Sequence, residues 1–307
     1  MHRNFRIIDG KLTEVLEGAA PIVVYVDPDA DERRYLVQDL KIDEHTLGSA
    51  LDPDELARLE FEPEHAAVIF KQPKSYRGGG GSGSFLLDVI SIGAFLFHDR
   101  LILVAADDSV LADGARFGRV TSLNDVLLRM IYRSIFHFLE HLKIIDKISD
   151  GLQAKINASM ENRYLINLFE LQKSLVYYLS SISSNEALIE KLKLNGAKLS
   201  FSNDELDVLD DVYIENKQCY KQAEVNSNIL ASLMDARVSI VSNNLNILIK
   251  ILNIVTIALM VPTLVVSVFS MNVRLPMQDR PWAFWVILGL AMVALGSFGA
   301  LMRFKRW

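Results

Sequence analysis

Six polar residues fall on one stripe of an otherwise apolar segment near the end of this 307-residue chain. Asn246, Asn253, Thr256, Thr263, Ser267 and Ser270 are separated by seven, three, seven, four and three residues, spacings that return a helix to one face, and Met260 fills the gap. The segment beneath them, Ile247 to Phe269, has 23 residues and one charge, Lys250 near its start. Such a helix is long enough to cross about 30 Å of hydrocarbon. Amides and hydroxyls facing lipid are costly, so the stripe must face protein or water. Two chemistries answer that demand. The stripe can hydrogen-bond across to another helix. Alternatively it lines an aqueous path, in which neutral oxygens would handle a hydrated ion by its outer water shell. The stripe runs the whole membrane depth and continues straight from a charged helix, which favours the path. Two spans cannot enclose a pore alone, so a path requires a ring of subunits, each contributing this helix.

Other reactive side chains are sparse. His2, His45, His65, His98, His137 and His141 are scattered; only His137 and His141, four apart with Glu140 between, could share a metal. Without a further acidic or Cys partner at fixed spacing, a packed helix face is the better reading of that pair. The lone Cys219 excludes an internal disulfide framework and Cys-rich zinc sites. Gly78 to Ser84 is glycine-rich but lacks the lysine and hydroxyl of a phosphate loop, so it reads as a flexible or hairpin connection. Nothing resembles a nucleophile with its base, and the chain is not expected to be an enzyme. A net charge of −6 does not suit nucleic acid, which demands a basic surface.

The elements that must position the stripe follow from composition. Half the residues are hydrophobic, yet residues 1–245 read as an ordinary charged chain and residues 247–302 hold the excess. Strands are expected at Pro21 to Pro28, His65 to Gln72 and Phe85 to Val89, with a hairpin from Gly93 to Ala106 turning at His98-Asp99-Arg100. Asp29 to Leu40 reads as a helix, and Pro53 to Arg58 as a short one capped by Asp52. This predicts an α/β domain over residues 1–120. A stalk of long helices over 121–245 follows: one from Ser122 to about Asp150, one after Gly151 to Leu192, and one from Ser202 with no glycine or proline before Pro262.

The first span is placed at 246–270 and a second at 282–302, Trp282 to Met302, which carries no charge. Residues 271–281 form a short loop between them and 303–307 a basic tail. Arg303, Lys305 and Arg306 after the second span, and Lys250 opening the first, put both ends on the cytoplasmic side. Arg274 and Arg280 in the loop count against that orientation; Asp279 and the absence of a signal peptide favour it. Gly289, Gly296, Gly299 and Ala300 suit the second span to close helix packing.

The order of these parts, with Phe269-Ser270-Met271-Asn272 closing the first span, resembles the CorA-type magnesium channels, whose motif is aromatic-Gly-Met-Asn. Met260-Val261-Pro262-Thr263, Ser239 to Asn244 and Lys250 are similar to further positions of that family, and Asp211-Val212-Tyr213 and Asp235 fall in register with acidic stalk positions. The likeness is specific over about the last hundred residues and architectural before them. It implies a funnel-shaped homopentamer in the inner (plasma) membrane, with cytoplasmic N and C termini, passing Mg2+ passively under the control of cytosolic divalent ion. It places Asn272 in an external ring beside Ser270 and Met271. Thr263 and Ser267 coordinate the water shell deeper in, Met260, Leu252 and Asn246 form constrictions, and Thr256 and Asn253 complete the lining. Asp235 and Asp211 would hold regulatory Mg2+ between neighbouring subunits. The acidic pair expected from the N-terminal domain is absent: Ala50 and Leu51 stand there, with Asp52 the closest carboxylate. Ser270 replaces the family's glycine, and Leu275-Pro276-Met277-Gln278 beside Arg274 replaces its acidic loop. A relative that carries Zn2+, Co2+ or another divalent ion, and a non-conducting membrane scaffold or sensor, remain alternatives.

Overall fold

A computed structural model of the chain describes residues 2–15, 20–74, 87–108, 119–158, 162–271 and 280–304. It divides into two compact units, Met1–Met234 and Asp235–Trp307. The glycine-rich 78–84 connection, Asn272 and the 272–279 loop lie outside the described residues, as do Lys305 and Arg306.

The first unit is built on a seven-stranded sheet. Its strands are β1 (His2–Ile8), β2 (Lys11–Val15), β3 (Ile22–Val26), β4 (Arg58–Phe61), β5 (His65–Pro73), β6 (Val89–Phe97) and β7 (Leu101–Ala105), in the order β2-β1-β3-β7-β6-β5-β4. Every neighbouring pair is antiparallel except β3 with β7. β5 and β7 are buried along their whole length and β6 nearly so, which is why they read in sequence as unbroken apolar runs. The hairpin at His98-Asp99-Arg100 closes as expected, with Phe97 N–H donating to Arg100 O at 2.9 Å. β1, β2 and β4 are additions to the sequence reading. β1 and β2 are half-exposed and interrupt their apolar residues with Arg, Lys and Glu, so no apolar run marks them.

Helices cover both faces. α1 (Ala30–Gln38) and α2 (Glu44–Leu51) lie over one core, formed by Tyr25, Leu36, Leu47, Ala50, Ala67, Phe95 and Val104 among others. α1 starts as expected: Asp29 accepts from the N–H groups of Asp31 and Glu32, and Glu32 completes the capping box. The short helix expected after Asp52 is absent. Asp52 instead ends α2, at φ −88° and ψ 118°. A residue before proline is driven out of the helical region, so Pro53 stops α2 rather than starting a new helix. α2 approaches the sheet so closely that a Cβ on Gly93 would meet the Ala50 Cβ at 2.4 Å. Glycine is required there by space.

The other face carries α3 (Leu123–Ala158), α4 (Asn162–Leu194) and the first part of α5 (Asn203–Phe269) over the larger core. Gly151 does not end α3 as the sequence suggested. A helical glycine costs only about 1 kcal/mol against alanine, less than the packing of Ile145, Ile148 and Leu152 along the same helix returns. α4 grips the sheet through polar side chains. Ser184 Oγ accepts from Ala57 N–H at 2.5 Å and Ser174 Oγ from Leu87 N–H at 2.9 Å. The Asn185 amide, fully buried, accepts from Lys71 N–H at 2.8 Å and donates to Lys71 O at 2.9 Å. β4 begins opposite Ile69, and beyond that point Asn185 takes the place of a paired strand for Lys71. The buried Glu205 carboxylate accepts from Ser122 Oγ, at the start of α3, and from Ser202 N–H at 2.7 Å, at the start of α5. Asn216 donates to Ile182 O at 3.0 Å and Asn226 to Leu142 O at 3.4 Å, fixing α5 to α4 and α3.

The second unit contains the end of α5 and α6 (Ala283–Phe304), and both helices are long and apolar enough to cross a membrane.

Candidate functional site: the polar face of the first span

Within the apolar segment from Ile247 onward the part-buried positions of α5 are Ile254, Ala258, Val261, Pro262, Val265 and Phe269. Those of α6 are Ala283, Val286, Ile287, Ala294, Leu295, Phe298 and Met302, around the buried Ala291. Each set forms one helical stripe, the mutual face left when two helices lie side by side. The polar stripe falls elsewhere. At about 100° per residue, Thr256, Met260, Thr263, Ser267 and Ser270 point away from the α6-facing stripe, on the opposite side of α5. Asn246, Leu252, Asn253, Thr256, Met260, Thr263, Ser267, Ser270 and Met271 are all exposed in the single chain. The stripe is therefore not spent on pairing the two spans of one chain. Gly289, Gly296 and Gly299 likewise meet no neighbour: added Cβ atoms would find nothing within 4 Å.

Thr256, Leu259, Met260, Thr263, Leu264 and Ser267 line one groove along this face. Leu259 and Leu264 were not singled out from sequence. Their signal is their position flanking the stripe on the same side of the helix.

The hydroxyls are oriented by the helix itself. Thr256 Oγ1 donates to Leu252 O at 2.8 Å, Thr263 Oγ1 to Leu259 O at 2.6 Å, and Ser270 Oγ to Ser267 O at 2.9 Å. Each spends its only proton on a backbone carbonyl, and what it offers outward is lone pairs. That polarity has a chemical consequence. Water around a small cation turns its oxygens inward and presents only hydrogens, a surface that acceptors satisfy. Water around an anion presents oxygens, which these hydroxyls cannot serve. Ser270 continues the last turn, its N–H donating to Ser267 O at 3.2 Å, and is not among the described non-glycine residues with positive φ. Serine at this point of the motif carries no backbone strain.

The three carboxylates proposed for regulation are placed differently. Asp52 is exposed, and its Oδ1 accepts from Asp54 N–H at 2.9 Å. Asp211 is exposed in a groove with Arg129, Tyr132, Val208, Ile214 and Glu215. Asp235 is exposed at the start of the second unit. Among the described residues no group of three or more His, Cys, Asp or Glu could hold a metal ion. Ala50 is fully buried against Gly93 and offers no ligand. Asp52, Asp211 and Asp235 thus form no metal cluster within one chain, and the expected regulatory site would lie between neighbouring subunits. His141, half of the possible metal pair, is buried with its Nδ1 2.7 Å from the Tyr178 hydroxyl. Burial pushes its pKa down to about 4, with His137 adding to the effect, so at neutral pH the ring is uncharged beside the Tyr178 hydroxyl.

The family model described as "CorA-like Mg2+ transporter protein" matches residues 22–306. The "Cobalt/magnesium transport protein CorA" of Methanocaldococcus jannaschii is 24% identical over 292 residues, covering 92% of this chain and 89% of that protein. The "Magnesium transport protein CorA" of Escherichia coli K12 is 22% identical over 325 residues, covering 98% of each. The complete structure of the M. jannaschii CorA magnesium transporter superposes with a TM-score of 0.82 at 19% identity, over 98% of this chain and 96% of that one.

Proposed function

Because this chain belongs to the family of CorA-like Mg2+ transporter proteins, we propose that it carries a divalent cation, Mg2+ before others, through a pore lined by the polar face of α5. The observation that supports this most directly is the polar stripe turned away from α6, in which the Thr256, Thr263 and Ser270 hydroxyls spend their protons on the helix and offer acceptors outward. Its described residues are exposed in the single chain, it cannot rest against lipid, and its outward oxygens suit a hydrated cation. Mg2+ holds its water reluctantly released, so a lining that reads the shell is chemically economical. A closed ring of subunits is then needed, with α5 inside and α6 outside. We infer five copies, forming a funnel in the inner membrane with both termini in the cytoplasm, and passive conduction with no covalent chemistry.

Asn272, with Ser270 and Met271, would form the outer ring; Thr263, Ser267, Thr256 and Asn253 the lining; Met260, Leu252 and Asn246 the narrow points. Leu252 and Met260 would gate by dewetting. Transport of Co2+ is supported by the name of the M. jannaschii relative, and Zn2+ is the further ion to compare. The test is ion flux into proteoliposomes holding an Mg2+-sensitive dye, repeated with Co2+ and Zn2+ and with Asn272→Ala. Mg2+ uptake abolished by that substitution is expected. No flux of any ion from correctly assembled protein would overturn the reading and leave a membrane scaffold or sensor.

A further inference from the structure

Far along the chain from the spans, the first unit buries a lysine ammonium. Lys71 on β5 is 3% exposed, and its Nζ donates to Pro53 O at 2.5 Å, Glu55 O at 2.7 Å and Ser91 Oγ at 2.9 Å. Ser91 Oγ in turn donates to Asp52 O at 2.5 Å. Ser91 and Lys71 are cross-strand partners on β6 and β5, so the sheet register sets the distance between ammonium and hydroxyl. The oxygens all belong to, or are tied to, the turn by which the chain leaves α2.

Three neutral oxygens around one charge is an uncommon way to bury a lysine, which normally meets a carboxylate. Here the carboxylates stand one shell out. Burial lowers the ammonium's pKa to about 8, although the charges of Asp52, Asp54 and Glu55 act to raise it. Glu55 is shared with Arg58 at 2.7 Å, and Asp52 caps Asp54 N–H, so both are oriented by the turn itself. The arrangement has the composition of an oxygen cage for a hard cation: carbonyls and a hydroxyl inside, anionic charge outside. The occupant is the tip of the chain's own side chain.

We propose that Lys71 is a tethered cation that organises the Asp52–Glu55 turn, filling an oxygen cage that binds a free small cation, an alkylammonium first, when the side chain is cut back. The inference rests on the first unit alone and stands whether or not the second unit conducts. It assigns Lys71 a positioning role.

The experiment is thermal unfolding of the full-length chain in detergent, comparing wild type, Lys71→Ala and Lys71→Met, each with and without millimolar ethylammonium, propylammonium, Na+ or Mg2+, and propanol as the neutral control. The expected result is a lowered midpoint for both variants, with Lys71→Ala alone raised again by the alkylammonium ions and not by propanol. Met fills the cage and leaves no room for rescue. A Lys71→Ala midpoint that no cation moves, or a Lys71→Met midpoint equal to wild type, overturns the proposal. If neither variant accumulates, Ser91→Ala carries the test. With one oxygen removed the ammonium is held less firmly, and labelling of Lys71 by an amine-specific reagent should accelerate severalfold at pH 7.5. An unchanged labelling rate overturns the proposal equally.

Discussion

Thr263→Val is the sharpest probe of the pore reading, because it removes one oxygen and almost nothing else. The Thr263 hydroxyl donates to Leu259 O at 2.6 Å and presents only acceptor lone pairs outward. Valine keeps the β-branched shape and the helix, and replaces that acceptor by a methyl group. A hydrogen bond of this kind is worth about 0.5–1.5 kcal/mol net. In a ring, two or three such oxygens touch a passing hydration shell together, so the loss is about 1–4 kcal/mol in the barrier. At about 1.4 kcal/mol per tenfold, flux at sub-saturating Mg2+ should fall roughly five-fold to nearly a thousand-fold. The assay is initial-rate dye uptake in proteoliposomes, with assembly checked by size. Thr263→Ser should retain flux. Ser297→Ala should be neutral, because that hydroxyl, bonded to Ala294 O at 2.9 Å, sits on α6. Wild-type flux through correctly assembled Thr263→Val would refute the claim that outward acceptors carry the ion.

Three other outcomes follow from the first unit. Asn185→Ala orphans the buried N–H and C=O of Lys71 together, so it should lower stability by about 2–5 kcal/mol, read as a large drop in the unfolding midpoint. Gly93→Val drives side-chain carbon into Ala50 and should cost about 1–3 kcal/mol or more; Ala50→Gly in the same chain should recover part of it. His141, held down to about 4 by burial, takes up a proton in the unfolded chain near its ordinary pKa of 6.5 and in the folded chain only near 4. Its contribution is therefore complete above pH 6.5 and lost as the pH falls from 6.5 towards 4, on the order of 3 kcal/mol. His141→Gln should flatten stability against pH in that window, measured by chemical unfolding at fixed pH values.

The spans were legible because lipid imposes length and polarity together. Ile247 to Phe269 and Trp282 to Met302 announce themselves by composition, and the period of the polar stripe survives in α5 unchanged. Sequence left open whether the stripe faced the second span, because that depends on which side of α5 the other helix occupies. The part-buried positions at Ile254, Ala258, Val261 and Val265 decide it. Strands β5 to β7 were readable as apolar runs, whereas β1 and β2 needed tertiary pairing to declare themselves. The turn after α2 was misread for a local reason. Asp52 has the side chain of an N-cap, and only the backbone restriction before Pro53 and the distant Lys71 reveal that it closes a helix. Lys71 itself gave no signal at all, since a lysine in HAAVIFKQ looks like the solvent-facing end of a strand.

The single parallel contact in the sheet bears on how the protein is made. β3 is synthesised early, but its neighbour β7 begins 75 residues after β3 ends, at Leu101 against Val26. At roughly 5–20 residues per second a ribosome needs about 4–15 s to supply that partner. During this interval the three-stranded β2-β1-β3 unit has an unsatisfied edge at β3, the kind of nascent surface that recruits chaperones or misassociates. Relief comes before the hydrophobic burden grows, because β7 is finished well over a hundred residues ahead of Ile247. Translation order thus lets the sheet seal itself before the segment destined for lipid leaves the ribosome. Codon changes that slow the stretch between Val26 and Leu101 should harm yield more than equal delays placed after Ala105.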